Sequence, residues 1–489
     1  MRRCLAVCLR TCMTTVLHRG TGILPVSPRG VPPLVRRGNH GQDGRGTHGR
    51  DAHATVFTHV LTVLAVCLVS AAPSPAADWP QFRGPERDGK SPETGLLKTW
   101  PDDGPKLLWK TTGCGTGYSS PAVVGSAIYT AGDIDGQSCL VAFSADGKAK
   151  GRLAFARGGP RGDQAGMRST PTVQGGMAYL LNPDGELLCA SASNLQRRWQ
   201  VNILRAFGGR NISWRLAESV LVVGNMVVCT PGGPNATIVA LNRGSGKPIW
   251  TSKGLSDQAA YASCMLMKVG RVPMITTMTA KGLVGVSAVN GQFLWRYDRP
   301  ANRTANCPSP VFQGNRVFQA TGYGNAGGAV DVVVRGNRVT AQQAWETRDM
   351  VCHHGGYVLV DGHVYGNHGG GLACIDFKTG QTKWRGRGAG KGSVIYADGL
   401  LYCYGEGGSL ALVEAKPGAY KLVSQFRLPA GGSGQHWAHP AIADGRLYVR
   451  HGDVLFCFDI KAAAEDKPKP TAAESSRPAD ADPAKPTAD

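Results

Sequence analysis

The chain has 489 residues, 67 of them glycine and 30 proline, with 14 cysteines and a formal net charge of +20. Glycine at about twice its usual share of roughly 7%, with no sustained helical periodicity after residue 78, argues against a helical bundle and for many tight turns. The charge comes without any run of basic residues interleaved with aromatics, so nucleic acid is not the expected partner.

Residues 1–55 do not read as a folded domain. They carry nine Arg against two Asp, a Pro-rich stretch from Pro25 to Pro33, and a tandem octamer, His40–Thr47 and His48–Thr55, that resembles translated repetitive nucleotide sequence. A start downstream of Met1, with Val56 as the candidate, is expected; a genuine basic leader is the alternative. Residues 56–77 form a short apolar run followed by small residues and Pro73. It is short for a membrane span and fits a secretory signal peptide, so an exported, periplasmic or extracellular protein that does not span the membrane is expected. Cys67 resembles the cysteine of a lipoprotein box, but Val66 is too large for the preceding position.

From residue 78 one unit recurs. In Ala240-Leu241-Asn242-Arg243-Gly244-Ser245-Gly246-Lys247-Pro248-Ile249-Trp250 two β-prone residues lead into a polar corner, and a Trp follows the corner glycine by four residues. Asn242 can bond its own backbone and Gly246 can take a positive φ, which predicts a hairpin with a type I turn and a bulge. Cys374 to Trp384 repeats the frame with Gly380, and Val286 to Trp295 repeats it with Gly291. The aromatic recurs as Trp109, Phe155, Trp199, Trp250, Trp295, Trp345, Trp384 and Phe426, at intervals of 39 to 51 residues. A period in the forties with several strands per repeat predicts propeller blades. A second series keeps the same beat: Ser120-Pro121, Thr170-Pro171, Glu218-Ser219, Ser309-Pro310 and His439-Pro440, each ahead of an apolar first strand.

The expectation is therefore an all-β chain, a single eight-bladed β-propeller of four-stranded antiparallel blades over residues 78–460. Leu107-Leu108-Trp109-Lys110 stands before any first strand, whereas the last repeat stops after three strands at Phe458. The N-terminal outer strand should thus complete the last blade and close the ring. Residues 461–489, rich in Ala, Pro, Lys and Asp, read as a disordered tail. Of the formal charge, +14 falls within 78–460, which favours a protein or an anionic envelope component as partner.

Asp78-Trp79-Pro80-Gln81-Phe82-Arg83-Gly84-Pro85, the Gly-x-x-x-Trp hairpins and the eightfold beat resemble bacterial secreted β-propellers with pyrroloquinoline-quinone-type (PQQ-like) repeats. That family is similar both to the outer-membrane assembly propeller and to quinoprotein alcohol dehydrogenases. The resemblance implies that the repeat aromatics Trp109, Trp199, Trp250, Trp295, Trp345 and Trp384 dock between blades. An indole buried there supplies a large apolar area and one N–H to satisfy.

The loops leading into the innermost strands supply Tyr118, Arg168, Trp214, Arg215, Tyr261, Asn306, His353, His354, Lys391, His436, Trp437 and His439. They should gather around the axis. Arg168, Arg215 and Lys391 would converge from different blades, with Glu218 and Glu406 as counterions, Trp214 and Trp437 as walls, and Glu218 orienting Arg215. The expected product is an anion-accepting funnel; the alternative is structural cations satisfied by loop carbonyls. His353, His354 and His368 suggest metal, but adjacent residues on an extended segment face opposite ways, so no metal site is expected. Asp133 and Asp135 lack the ligands of a calcium loop.

Ten cysteines follow the leader without a CxxC or an adjacent pair. Buried free thiols are expected, with one or two disulfides left open. The resemblance also implies, for the dehydrogenases, a quinone held between a Trp and an adjacent-cysteine disulfide, calcium on Glu, Asn and Asp, and an Asp base. This chain lacks the cysteine pair and has no Asp among those leading-loop residues. The reading is a monomeric exported binding or scaffold propeller of the cell envelope, without cofactor or catalytic residues; a PQQ- and calcium-dependent alcohol dehydrogenase is the alternative.

Overall fold

A computed structural model describes residues 77–159 and 164–463. The expectations for the leader, the signal peptide and residues 464–489 fall outside these residues. Eight four-stranded antiparallel sheets succeed one another along the chain as the blades of one propeller. In the third blade the strands are Leu221–Val223, Met226–Cys229, Val239–Asn242 and Pro248–Thr251. A helix of five residues, Ile203–Phe207, capped by Asn202, interrupts the otherwise all-β pattern.

The repeated hairpin forms for the reasons its residues carry. Asn242 Oδ1 accepts from the N–H groups of Gly244 and Ser245 at 3.0 and 3.1 Å, Gly246 has φ +69°, and the register shifts between Ala240 and Leu241. Asp376 does the same for Lys378 and Thr379, with the shift between Cys374 and Ile375. The turn and its bulge are thus set locally.

The corner has a second purpose, visible only between blades. Trp199 Nε1 donates to Arg243 O at 2.9 Å, Trp250 to Ala288 O at 3.2 Å, Trp345 to Phe377 O at 3.1 Å and Trp384 to Lys416 O at 2.8 Å, each in the turn of the following blade. Trp109 closes the series on Ala145 O at 3.0 Å. The indole takes the space a β-carbon would need at Gly147, Gly246, Gly291 and Gly380. Trp295 departs from the pattern: buried with Val317 and Val330 of the next blade, it gives its N–H to Met274 Sδ of its own.

A second set of links runs near the axis. His439 N donates to Ser120 Oγ, Ser120 N to Thr170 Oγ1, Thr170 N to Ser219 Oγ, Ser219 N to Ser263 Oγ and Ser263 N to Ser309 Oγ, over 2.8–3.3 Å. The periodic Ser/Thr series is therefore a belt in which each hydroxyl satisfies a buried amide that leads into the preceding blade's innermost strand.

Leu107–Thr111 pairs antiparallel with Val454–Asp459, Trp109 opposite Cys457, and completes the last blade. Arg450 pins this junction. Fully buried, it donates from Nη1 to Ser119 O and Ala131 O and from Nη2 to Gly115 O and Cys114 O, at 2.6–3.2 Å.

The segment before the closing strand runs from blade to blade. Trp79 and Val123 exchange two backbone bonds of 2.8 Å, and Val173 N donates to Pro80 O. Arg87 Nη2 reaches Ser219 O at 2.6 Å and Arg83 Nη2 reaches Tyr357 O at 2.5 Å. Ser91 N donates to Tyr396 O, Glu93 accepts from Gly445 N at 2.7 Å, and Leu97 N donates to Ile460 O. Residues 79–97 thereby fasten six blades. All ten described cysteines are free thiols, nine of them buried.

Candidate functional site

A cavity of about 210 Å³ lies where the leading loops meet. Its lining comes from seven blades and the N-terminal segment: Phe82, Tyr118, Ser120, Gln164, Arg168, Trp214, Ala217, Ser219, Tyr261, Ser263, Ala305, Cys307, Tyr323, His353, His354, Trp437 and His439. Trp437 stands 4.9 Å from Tyr118 and 5.4 Å from His354, ring to ring, and Trp214 stands 6.1 Å from Tyr261. Phe82 meets His439 edge-on at 5.0 Å. Trp214 is 37% exposed, an apolar ring presented to solvent at the cavity.

The site brings together Arg168, Trp214, His353, His354 and Trp437, but not Arg215, Glu218, Lys391 or His436. Arg215, at φ +64°, turns to Asp184 and lines a separate polar depression with Asp133, Asp135 and Arg157. Lys391 Nζ pairs with Glu406 Oε1 at 2.9 Å. His436 bonds Tyr404 Oη at 2.6 Å and stacks on His451 at 3.7 Å. Burial, then the neighbouring His451, lowers its pKa to about 4.

The expectation that Glu218 orients Arg215 is incorrect. Glu218 is fully buried and accepts from Thr230 N at 2.5 Å. Desolvation raises its pKa to about 7 against the weaker opposing pulls of Thr230 and Arg87. Three residues before the innermost strand its side chain already faces the packed interior, while the left-handed turn at Arg215 sends the guanidinium outward.

The expected convergence of three cations is likewise corrected. Of them only Arg168 reaches the cavity, and its terminal nitrogens donate to the carbonyls of Trp214 and, at 2.5 Å, Gln164. The guanidinium is satisfied by loop carbonyls, and burial lowers its pKa. The cavity is aromatic rather than cationic.

The reason given against metal also fails. His353 and His354 lie on a bend rather than a strand, and their Nδ1 atoms are 3.4 Å apart. His354 Nδ1 is 3.7 Å from Glu406 Oε1, which also accepts from Trp437 Nε1 at 2.6 Å. Burial lowers the pKa of His353, and burial and then His353 lower that of His354 well below the usual range, so both rings are neutral at pH 7. Phe82 also lines the cavity, where sequence reasoning did not place it. The motif around Phe82 was visible, but no local signal says that it reaches the axis.

The eight blades and their repeat hairpins define a propeller of PQQ-like repeats, and comparison with known sequences places it. The profile of the family described as outer membrane protein assembly factor BamB matches residues 93–257 and 213–386. The chain belongs to this family. Quinoprotein alcohol dehydrogenase PedH of Pseudomonas putida is 26% identical over 148 residues, 29% of this chain and 24% of that protein. The chain therefore aligns with about a quarter of the length of this curated relative. BamB from Moraxella catarrhalis superposes with a TM-score of 0.52 at 12% identity, over 73% of this chain and 98% of that one. Quinohemoprotein alcohol dehydrogenase from Comamonas testosteroni gives 0.55 at 13%, over 82% and 83%. These likenesses concern the fold.

The cavity's residues do not fit a quinone with calcium. Calcium takes six to eight oxygen ligands, usually including carboxylates, and among the described residues no Asp or Glu lines the cavity. Arg168, the one Arg or Lys among the described lining residues, is already held by carbonyls, which leaves little there to meet an anionic quinone.

Proposed function

We propose that this propeller is a partner-binding scaffold of the cell envelope, acting as an exported monomer and receiving an apolar or aromatic side chain of a protein partner in its axial cavity. The observation that supports this is the cavity itself. At about 210 Å³ it is smaller than the 300–1,000 Å³ typical of small-molecule sites, and its walls are the aromatic rings that anchor protein interfaces. Export follows from the apolar run at 56–77; among the described residues no helix is long and apolar enough to cross a membrane. The alcohol-dehydrogenase reading draws support from the relative matched over 148 residues, and the lack of a carboxylate among the described lining residues weighs against it.

The test is capture from an envelope extract with the wild-type chain and with Trp214→Ala. The scaffold reading expects a retained protein that the variant loses, while substitution of the distant, 71% exposed Val289 changes nothing. In parallel, the chain is incubated with pyrroloquinoline quinone, calcium, an alcohol and an artificial dye. Quinone-dependent dye reduction, or capture indifferent to Trp214, refutes the reading.

A further inference from the structure

Three ligating atoms converge beside the axial cavity. His354 Nδ1 lies 3.4 Å from His353 Nδ1 and 3.7 Å from Glu406 Oε1, and suitable donor atoms of all three residues fall within 4.8 Å of one another. An ion held at about 2.0–2.1 Å by tetrahedral donors keeps those donors about 3.4 Å apart. The side chains are thus close to a ligating arrangement before any ion arrives. We propose that His353, His354 and Glu406 bind a divalent transition-metal ion of the zinc class, with the remaining coordination position open to the cavity.

Two imidazoles and one carboxylate suit zinc and its neighbours and offer too few oxygens for calcium. A further contact orients one ligand. Tyr323 Oη is 2.8 Å from His353 Nε2; with Nε2–H donating to the phenol oxygen, the lone pair of Nδ1 points towards His354. Metal-bound histidines use their other nitrogen in this way, which fixes the ring and its tautomer. Tyr323 holds this position at φ +60°, a left-handed conformation uncommon for a bulky residue. Trp437 Nε1 steadies the carboxylate at 2.6 Å, and Lys391 Nζ occupies the same oxygen at 2.9 Å. The ammonium is therefore the ion's competitor and must yield when it binds. His353 and His354 both line the cavity, so the open position would take water or a lone-pair donor of whatever enters.

The full chain is stripped with a chelator and titrated with zinc chloride by calorimetry and with cobalt chloride by visible absorption. One ion per chain is expected, with tetrahedral cobalt bands. His354→Ala and Glu406→Gln should weaken zinc binding at least a hundredfold, and Tyr323→Phe about tenfold, the range seen when such outer hydrogen bonds are removed. Lys391→Met should tighten it. His451→Ala, which breaks the stacked His436–His451 pair, should leave it unchanged. Tyr323 is 51% exposed, so its variant tests the site even if a buried substitution impairs folding. The proposal is overturned if the wild type shows no saturable uptake, if Glu406→Gln and Tyr323→Phe both bind as wild type, or if His451→Ala alone abolishes uptake. Uptake needs no partner, so this result and the capture result stand separately.

Discussion

Trp199 of the second blade lies against Gly246 of the third: a β-carbon at Gly246 would come within 2.8 Å of the indole, whose N–H is held by Arg243 O at 2.9 Å. Gly246→Ala should therefore be penalised twice, by its φ of +69° and by the ring, for about 2–4 kcal/mol in all. Gly270, at φ +58° with nothing within 4 Å of an added β-carbon, isolates the first cost, and Gly270→Ala should lose only about 1–2 kcal/mol. Chemical denaturation of both variants decides the matter. Equal losses would mean that the indole does not press on the glycine.

Trp250 is 7% exposed and bonded to the next blade. Trp250→Ala should cost about 3–5 kcal/mol, as for other large core truncations, while folded protein keeps its ligand binding. A variant of wild-type stability that had lost binding would contradict a docking role.

Glu218 makes stability depend on pH. Its folded pKa of about 7 exceeds the ordinary 4.5, so the folded state holds a proton that the unfolded state has released. Stability then falls as pH rises from about 4.5 to about 7, by about 3 kcal/mol in total. Glu218→Gln keeps an acceptor for Thr230 N and carries no charge. It should be more stable than wild type at pH 8 and lack this slope; parallel melting curves at pH 5 and pH 8 that differ equally for both proteins would disprove the assignment.

Removing residues 78–112 takes away the closing strand, Trp109 and the segment that fastens six blades. Aggregation or loss of cooperative unfolding is expected. Light scattering and calorimetry that found a monomer with an unchanged transition would refute closure by this strand.

The fold was legible because its signals are local. Asn242, Gly246 and Trp250 lie within nine residues, and the same chemistry recurs often enough to count the blades. The cavity was only half legible, because sequence places residues on loops but not the direction in which each loop turns. Arg215 and Glu218, three residues apart, face solvent and interior; adjacent His353 and His354 meet because the chain bends there. The Ser/Thr belt showed as a period without a purpose, since each hydroxyl's partner lies a whole blade away, 44 to 50 residues along for the four links from Ser120 to Ser309.

Leu107–Thr111 waits for Val454–Asp459, and Leu97 waits for Ile460. A chain made from its N-terminus therefore carries its first strand unpaired until nearly the last residue of the propeller exists, and contacts of such long sequence separation form slowly. A copy cut short before residue 454 has no seat for that strand, however well its other seven blades are made. Its open edge would distinguish it from a finished molecule, so proteases and chaperones that seize exposed strands would sort complete chains from incomplete ones.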